Sequence, residues 1–121
     1  MAEVIIAGAA RTPMGGFQGA LAGVPAPELA GTAGRAALAE AEGAAPEEVI
    51  MGCVLPAGLG QAPARQAGFA SGLGAEVPAT TLNKMCGSGL AAAMAAHDRI
   101  AIGAAGCILA DRLSASGRAR V

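Results

Sequence analysis

Cys86 is the residue of this sequence best placed to do covalent chemistry. It stands in Asn83-Lys84-Met85-Cys86-Gly87-Ser88-Gly89-Leu90. A β-branched stretch precedes it, and an Ala-rich run with helical character follows. A thiol at such a strand-to-helix junction lies near the positive end of a helix dipole and near backbone N–H groups without intrahelical partners. Both favour the thiolate, which is the nucleophilic form. Gly87 and Gly89 allow close approach by a substrate or a neighbouring backbone. The arrangement resembles a nucleophile elbow in its mechanics. The G-x-S-x-G pattern is nonetheless absent, because Cys86 occupies the place of the first Gly. The alternative is a small Cys packed in an apolar core.

A nucleophile of this kind works with a base about 3 Å away. The one histidine, His97, lies eleven residues on. Helical geometry puts it near the same face as Cys86 but roughly 16 Å along the axis. It reads as a surface residue beside Asp98 and Arg99. Cys53 and Cys107 fall in apolar runs expected to be buried strands, where free Cys packs as a small hydrophobe. Gly58-Leu59-Gly60 ahead of a helix could form an anion-binding turn, but it lacks G-x-G-x-x-G spacing and reads better as a plain turn. Arg65 and Gln66 read as structural.

The elements that must position these residues alternate in type. Glu3–Ala9 is expected to be a strand, with Val4, Ile5 and Ile6 together. A loop over Ala10–Pro27 leads to a helix opened by Pro27 and running to about Glu42. Leu29, Ala33, Ala37 and Leu38 form its apolar face, opposite Glu28, Thr32 and Arg35. Glu48–Leu55 is expected to be a strand buried on both faces. A turn over Pro56–Gln61, a helix over Ala62–Gly72 and a strand over Ala79–Met85 follow. The helix after Cys86 runs to about Ile102, and Gly106–Ala110 is expected to be a fourth strand. This order predicts an α/β fold with a mostly parallel sheet and helices on both faces.

Composition narrows the function. The chain has 121 residues, including 33 Ala and 19 Gly but no Trp or Tyr. Its core must gain stability from close backbone approach, since small side chains bury little area each. Eight Lys+Arg against nine Asp+Glu give a formal net charge of −1. With no basic patch and almost no aromatics, nucleic acid is not an expected partner. Uncharged runs such as Thr12–Pro27 and Val49–Ala64 are too short and interrupted to span a membrane. The N-terminus has no basic region of the secretory kind. The three cysteines lack C-x-x-C spacing, so neither a metal site nor a disulfide framework is expected. Free thiols in a reducing cytoplasm are the expectation.

Asn83–Leu90 resembles the nucleophile segment of thiolases, the acetyl-CoA C-acetyltransferase family. Gly8-Ala9-Ala10-Arg11-Thr12-Pro13, Val54-Leu55-Pro56-Ala57-Gly58 and Gly60-Gln61-Ala62-Pro63-Ala64-Arg65-Gln66 agree, in thiolase order and near thiolase spacing. The resemblance covers Val4 to about Ala110, roughly the first third of a thiolase subunit. It implies that Cys86 takes an acyl group as a thioester, for Claisen condensation or for thiolysis of a 3-ketoacyl-CoA. The Cys86 N–H would be one oxyanion donor. Acetyl-CoA and CoA would be substrates, with no metal or redox cofactor, and family members are dimers or tetramers.

Departures from the pattern accompany the resemblance. The family's catalytic histidine and second catalytic cysteine, in its C-terminal half, and the loop domain that holds most of its CoA have no counterpart here. Neither Cys53 nor Cys107 inherits the second cysteine's role. After Ala110 the family continues Gly-Gly-Met-Glu-Ser, whereas this chain has Asp111-Arg112-Leu113-Ser114. The expected organisation is therefore a shortened thiolase N-terminal domain over residues 1–110 and a divergent polar tail over 111–121, from a frameshift or a truncated gene. An inactive chain is then expected on its own. The alternatives are a non-catalytic remnant or interaction module with the same half-fold, and an unrelated α/β thiol protein.

Overall fold

A computed structural model describes residues 3–103 and 105–112. Three helices and three strands alternate: α1 (Ala26–Glu40), β1 (Glu48–Gly52), α2 (Pro63–Ala70), β2 (Ala79–Leu82), α3 (Ser88–Ala101) and β3 (Ile108–Arg112). Each helix lies within two residues of its predicted span. Pro25 at the N-cap of α1 and Pro63 in the first turn of α2 start their helices. Proline loses nothing there, because its absent N–H would have no intrahelical acceptor. The α1 face also follows the prediction. Leu29 and Ala33 are buried, Ala37 and Leu38 are half-buried, and Glu28, Thr32 and Arg35 face solvent.

The strands form one parallel sheet in the order β2-β1-β3. Val49 pairs with Ala79 on one side and Leu109 on the other. The β1-to-β2 connection moves one way across the sheet. The β2-to-β3 connection passes back over β1. Crossovers of a single hand running in opposite directions place their helices on opposite faces. Val49, Met51 and Leu109 pack accordingly with Ala30, Ala64 and Ala67 of α1 and α2. Ile50 points the other way, into Ala92 and Ala96 of α3. All five β1 residues are buried, as an apolar strand covered on both faces must be.

Small residues set the packing distances. A Cβ on Gly31 would overlap Ala70, so α1 and α2 touch through backbone at that point. The Arg35 guanidinium donates to the Ala70 carbonyl at the same crossing. At the other end of β1, the buried Glu48 carboxylate pairs with Arg99 of α3 and accepts a hydrogen bond from Thr80 Oγ1 at 3.4 Å. That cluster ties β1, β2 and α3 together at the edge opposite Cys86.

The expected strand over Glu3–Ala9 is not formed. Those residues join no ladder, and Ile5 and Ile6 are 72% and 89% exposed. The positions on either side of β1 are taken by β2 and β3. The segment joins neither the outer edge of β2 nor that of β3, so its β-branched residues have no pleated surface to pack on. The segment instead meets α1, where a Cβ on Gly8 would overlap the Ala37 carbonyl and the Ala9 N–H donates to Glu40 Oε2 at 3.0 Å. The other strands are shorter than expected at one end. β1 stops at Gly52 and β2 at Leu82, so Cys53 follows a strand and Cys107 precedes one. β3 passes Ala110 and ends at Arg112, so the expected tail begins inside a strand; its remainder, 113–121, lies outside the described residues.

Candidate active site

β1 and β2 end side by side, with Gly52 paired to Leu82. The Cys53 N–H still donates to the Leu82 carbonyl at 2.8 Å. Beyond that bond the two chains separate, and the turn carrying Cys86 rises from the end of β2. Asn83 starts the turn. Its Nδ2 donates to the Val54 carbonyl at 3.3 Å, and its Oδ1 accepts the Met85 N–H at 2.9 Å. The second bond is the Asx-type closure that lets Asn replace a backbone turn. Met85 takes φ +48°, a left-handed conformation costing a residue with a side chain about 1–3 kcal/mol.

Ser88 closes the turn from the other side. It is fully buried. Its hydroxyl donates to the Met85 carbonyl at 2.6 Å and accepts the Lys84 N–H at 2.9 Å. The Gly87 N–H donates to the Lys84 carbonyl at 3.0 Å and the Ser88 N–H to the Met85 carbonyl at 3.1 Å. Those two N–H groups are therefore spent inside the turn. Gly52 permits the arrangement, since a Cβ there would overlap the Ser88 backbone. Cys86 sits at the outer bend, exposed, one residue before the Gly87 N-cap of α3.

The three cysteines occupy different surroundings. Cys53 is buried, and burial pushes its thiol pKa up, against a smaller opposing hydrogen bond from the Leu55 backbone. Cys107 is also pushed up, by burial first and by the negative charge of Glu47 second. A raised pKa keeps a thiol protonated and unreactive. Cys86 is the exposed cysteine of the three.

His97 stands on α3, exposed, with Nδ1 3.3 Å from Asp98 Oδ1. It is not brought to Cys86, in agreement with the helical spacing. The Gly58–Gly60 loop is a plain turn, because the first N–H groups of α2 are already bonded. Ala64 N–H donates to Thr81 Oγ1 at 3.0 Å, and Arg65 and Gln66 N–H donate to the Ala62 carbonyl. Gln66 Nε2 braces that loop through the Leu59 and Gln61 carbonyls, both at 2.7 Å. Arg65 holds the Ala75 and Val77 carbonyls and lies over the Phe69 ring. Both are structural, as expected. No cluster of three or more His, Cys, Asp or Glu suited to a metal occurs among the described residues.

Residues 4–111 match the family model described as thiolase, N-terminal domain. The chain belongs to the thiolase family. It is 54% identical over 113 residues to an acetyl-CoA acetyltransferase of Cupriavidus necator, covering 91% of this chain and 28% of that protein. An acetyl-CoA acetyltransferase of Pseudomonas aeruginosa is 49% identical over 112 residues, with the same coverage. A mitochondrial acetyl-CoA acetyltransferase of Xenopus tropicalis is 48% identical over 103 residues, covering 84% of this chain and 24% of that protein. The chain thus spans about 28% of the length of the first two relatives. The sheet with helices on both faces is the α/β architecture expected from the order of the elements.

Sequence reasoning singled out Cys86 but gave Asn83 and Ser88 no part. Asn directly after a strand is an Asx-turn signal, since its side chain reaches the backbone two residues on. No local pattern, in contrast, marks a serine hydroxyl that folds back across a turn.

Proposed function

We propose that this chain supplies the nucleophile of a thiolase-type acyl transfer, with Cys86 as the residue acylated. The observation that carries this is the exposed Cys86 at the outer bend of a braced strand-to-helix turn, within a chain of the thiolase family. In the step itself, the Cys86 thiolate attacks the carbonyl of an acyl-CoA thioester. A new S–C bond forms as the carbonyl π pair moves to oxygen. Collapse then breaks the bond to the CoA sulfur, and CoA leaves as a thiolate that takes a proton from water. Covalent catalysis of this kind divides one hard transfer into two easier ones. The Cys86 N–H at the bend is our candidate oxyanion donor.

The reaction is expected to stop there for the 121-residue chain alone. Making a carbanion from a second acetyl-CoA needs a base, and such proton transfer contributes about 10²–10⁴-fold. The sequence holds one histidine, and His97 is exposed on α3 beside Asp98. Unpaired cysteines suit a reducing compartment such as the cytoplasm. Association with further thiolase-type chain, or with a second copy, is part of this proposal.

A second reading, a non-catalytic interaction module, is favoured by the outer face of α3. Leu90 and Met94, one turn apart, are both exposed, and no helix among the described residues is long and apolar enough to cross a membrane. Intact-protein mass after incubation with acetyl-CoA, with the label mapped to peptides, separates the two. The nucleophile reading expects one acetyl group on Cys86 and none on Cys53 or Cys107. No acetylation, or equal labelling of all three cysteines, would overturn it in favour of the module.

A further inference from the structure

We propose that Asn83 and Ser88 form a two-sided latch that orients Cys86 for acyl transfer, acting as positioning residues rather than as groups that touch the acyl donor. This inference rests on the nucleophile reading of Cys86. Four side-chain hydrogen bonds converge on the three residues before Gly87 and their surroundings. Asn83 takes the Met85 N–H and holds the Val54 carbonyl. Ser88 takes the Lys84 N–H and holds the Met85 carbonyl. Both polar groups of Met85's backbone are thereby claimed by side chains, one from each side. Met85 itself has φ +48°, a conformation that persists only where its surroundings over-determine it.

Both anchors of the latch adjoin the central strand. Ser88 is fully buried against Gly52, at the end of the central strand. The Val54 carbonyl belongs to the chain leaving that same strand. The directions of the Cys86 N–H and Cα–Cβ bonds are therefore set through Met85 by two points beside β1. Acyl transfer is sensitive to those directions, because the N–H must meet the developing oxyanion while the sulfur meets the carbonyl carbon. Simple alkylation of the thiol by iodoacetamide forms one S–C bond and expels iodide. It builds no oxyanion and needs only an accessible sulfur.

That contrast gives the test. The full 121-residue chain and its Asn83→Ala, Ser88→Ala and Asn83→Asp variants are treated separately with acetyl-CoA and with iodoacetamide. Peptide mass spectrometry reads all three cysteines over time. Asn83→Asp keeps the acceptor for Met85 N–H and loses the donor to Val54. Expected is a fall of about tenfold in Cys86 acetylation for each alanine variant, the scale of one or two lost hydrogen bonds. Cys86 alkylation should stay within about twofold, and Asn83→Asp should fall between wild type and Asn83→Ala. Cys53, being buried, reports on the fold and should remain unreactive in all four proteins. Unchanged acetylation in both alanine variants would overturn the latch while leaving the nucleophile reading intact. A loss accompanied by Cys53 alkylation would overturn it too, by showing a general loss of structure. Absence of acetylation in the wild-type chain would overturn the nucleophile reading and the latch together.

Discussion

Val4-Ile5-Ile6 and Val49-Ile50-Met51 are nearly the same tripeptide in opposite surroundings. Ile5 and Ile6 are mostly exposed, whereas Ile50 and Met51 have no exposed surface. Intrinsic strand preference cannot separate them. What separates them is what lies alongside. β1 has β2 and β3 on its two edges and helices on both faces. The 3–9 segment has one hydrogen bond to Glu40 and a close contact at Ala37. Strand preference measures how well side chains fit a pleated, half-buried surface, so it takes effect only where that surface exists.

The largest effects should appear when the two tripeptides are mutated in parallel. Ile50→Ala removes a side chain gripped by Ala92 and Ala96. It should cost about 2–5 kcal/mol, the range for buried Ile or Leu truncated to Ala. Ile6→Ala should stay within about 0.5 kcal/mol, as exposed substitutions do. Urea denaturation of the two variants checks this. Equal losses would mean that residues 3–9 are packed in solution as firmly as β1, and the comparison would collapse.

The same contrast explains what could be seen in the sequence. Helix positions were legible, because Pro27, the apolar face of α1 and the Ala-rich runs act locally. The burial of β1 on both faces was legible from its unbroken apolar run. The parallel sheet followed from the alternation of elements. The fate of residues 3–9 was not legible, because strand preference does not say which segments pair with one another. The ends of β1 and β2 were also overrun, since Asn83 turns away from the ladder to bond the Val54 carbonyl and the Met85 N–H. At the site, Cys86 could be singled out from its neighbours. The latch from Ser88 could not, because its hydroxyl acts backward on Lys84 and Met85 through space.

An intermediate effect should come from pH. Cys53 follows β1 directly, and burial raises its thiol pKa above the ordinary 9.0. Cys107, just before β3, is raised in the same direction. Above pH 9 the unfolded chain then binds fewer protons at these thiols than the folded chain does. Stability contributed by the neutral thiols is complete below that pH and is lost as pH rises through the folded values. Midpoints of urea unfolding should therefore decline on the alkaline side. The decline should flatten in a Cys53→Ala, Cys107→Ala double variant and persist in Ile6→Ala. An unchanged slope in the double variant would show that the thiols ionise alike in both states, and that the end of β1 is wetter than its buried run.

The smallest effect belongs to the tether of the N-terminal segment. Glu40 holds the Ala9 N–H from an exposed position, where a single hydrogen bond to a solvated carboxylate is worth less than about 1 kcal/mol. Glu40→Ala should accelerate hydrogen exchange at the Ala9 amide and leave the β1 amides as protected as before. Glu40→Gln, which retains a carbonyl acceptor, should restore much of the protection. Local opening of this kind costs far less than global unfolding when few buried contacts are lost with it. Faster exchange at Val49, Ile50 and Met51 in Glu40→Ala would mean that residues 3–9 open together with the sheet. Such coupling would contradict the exposure of Ile5 and Ile6 and would give the first tripeptide a share in the core that only the second has here.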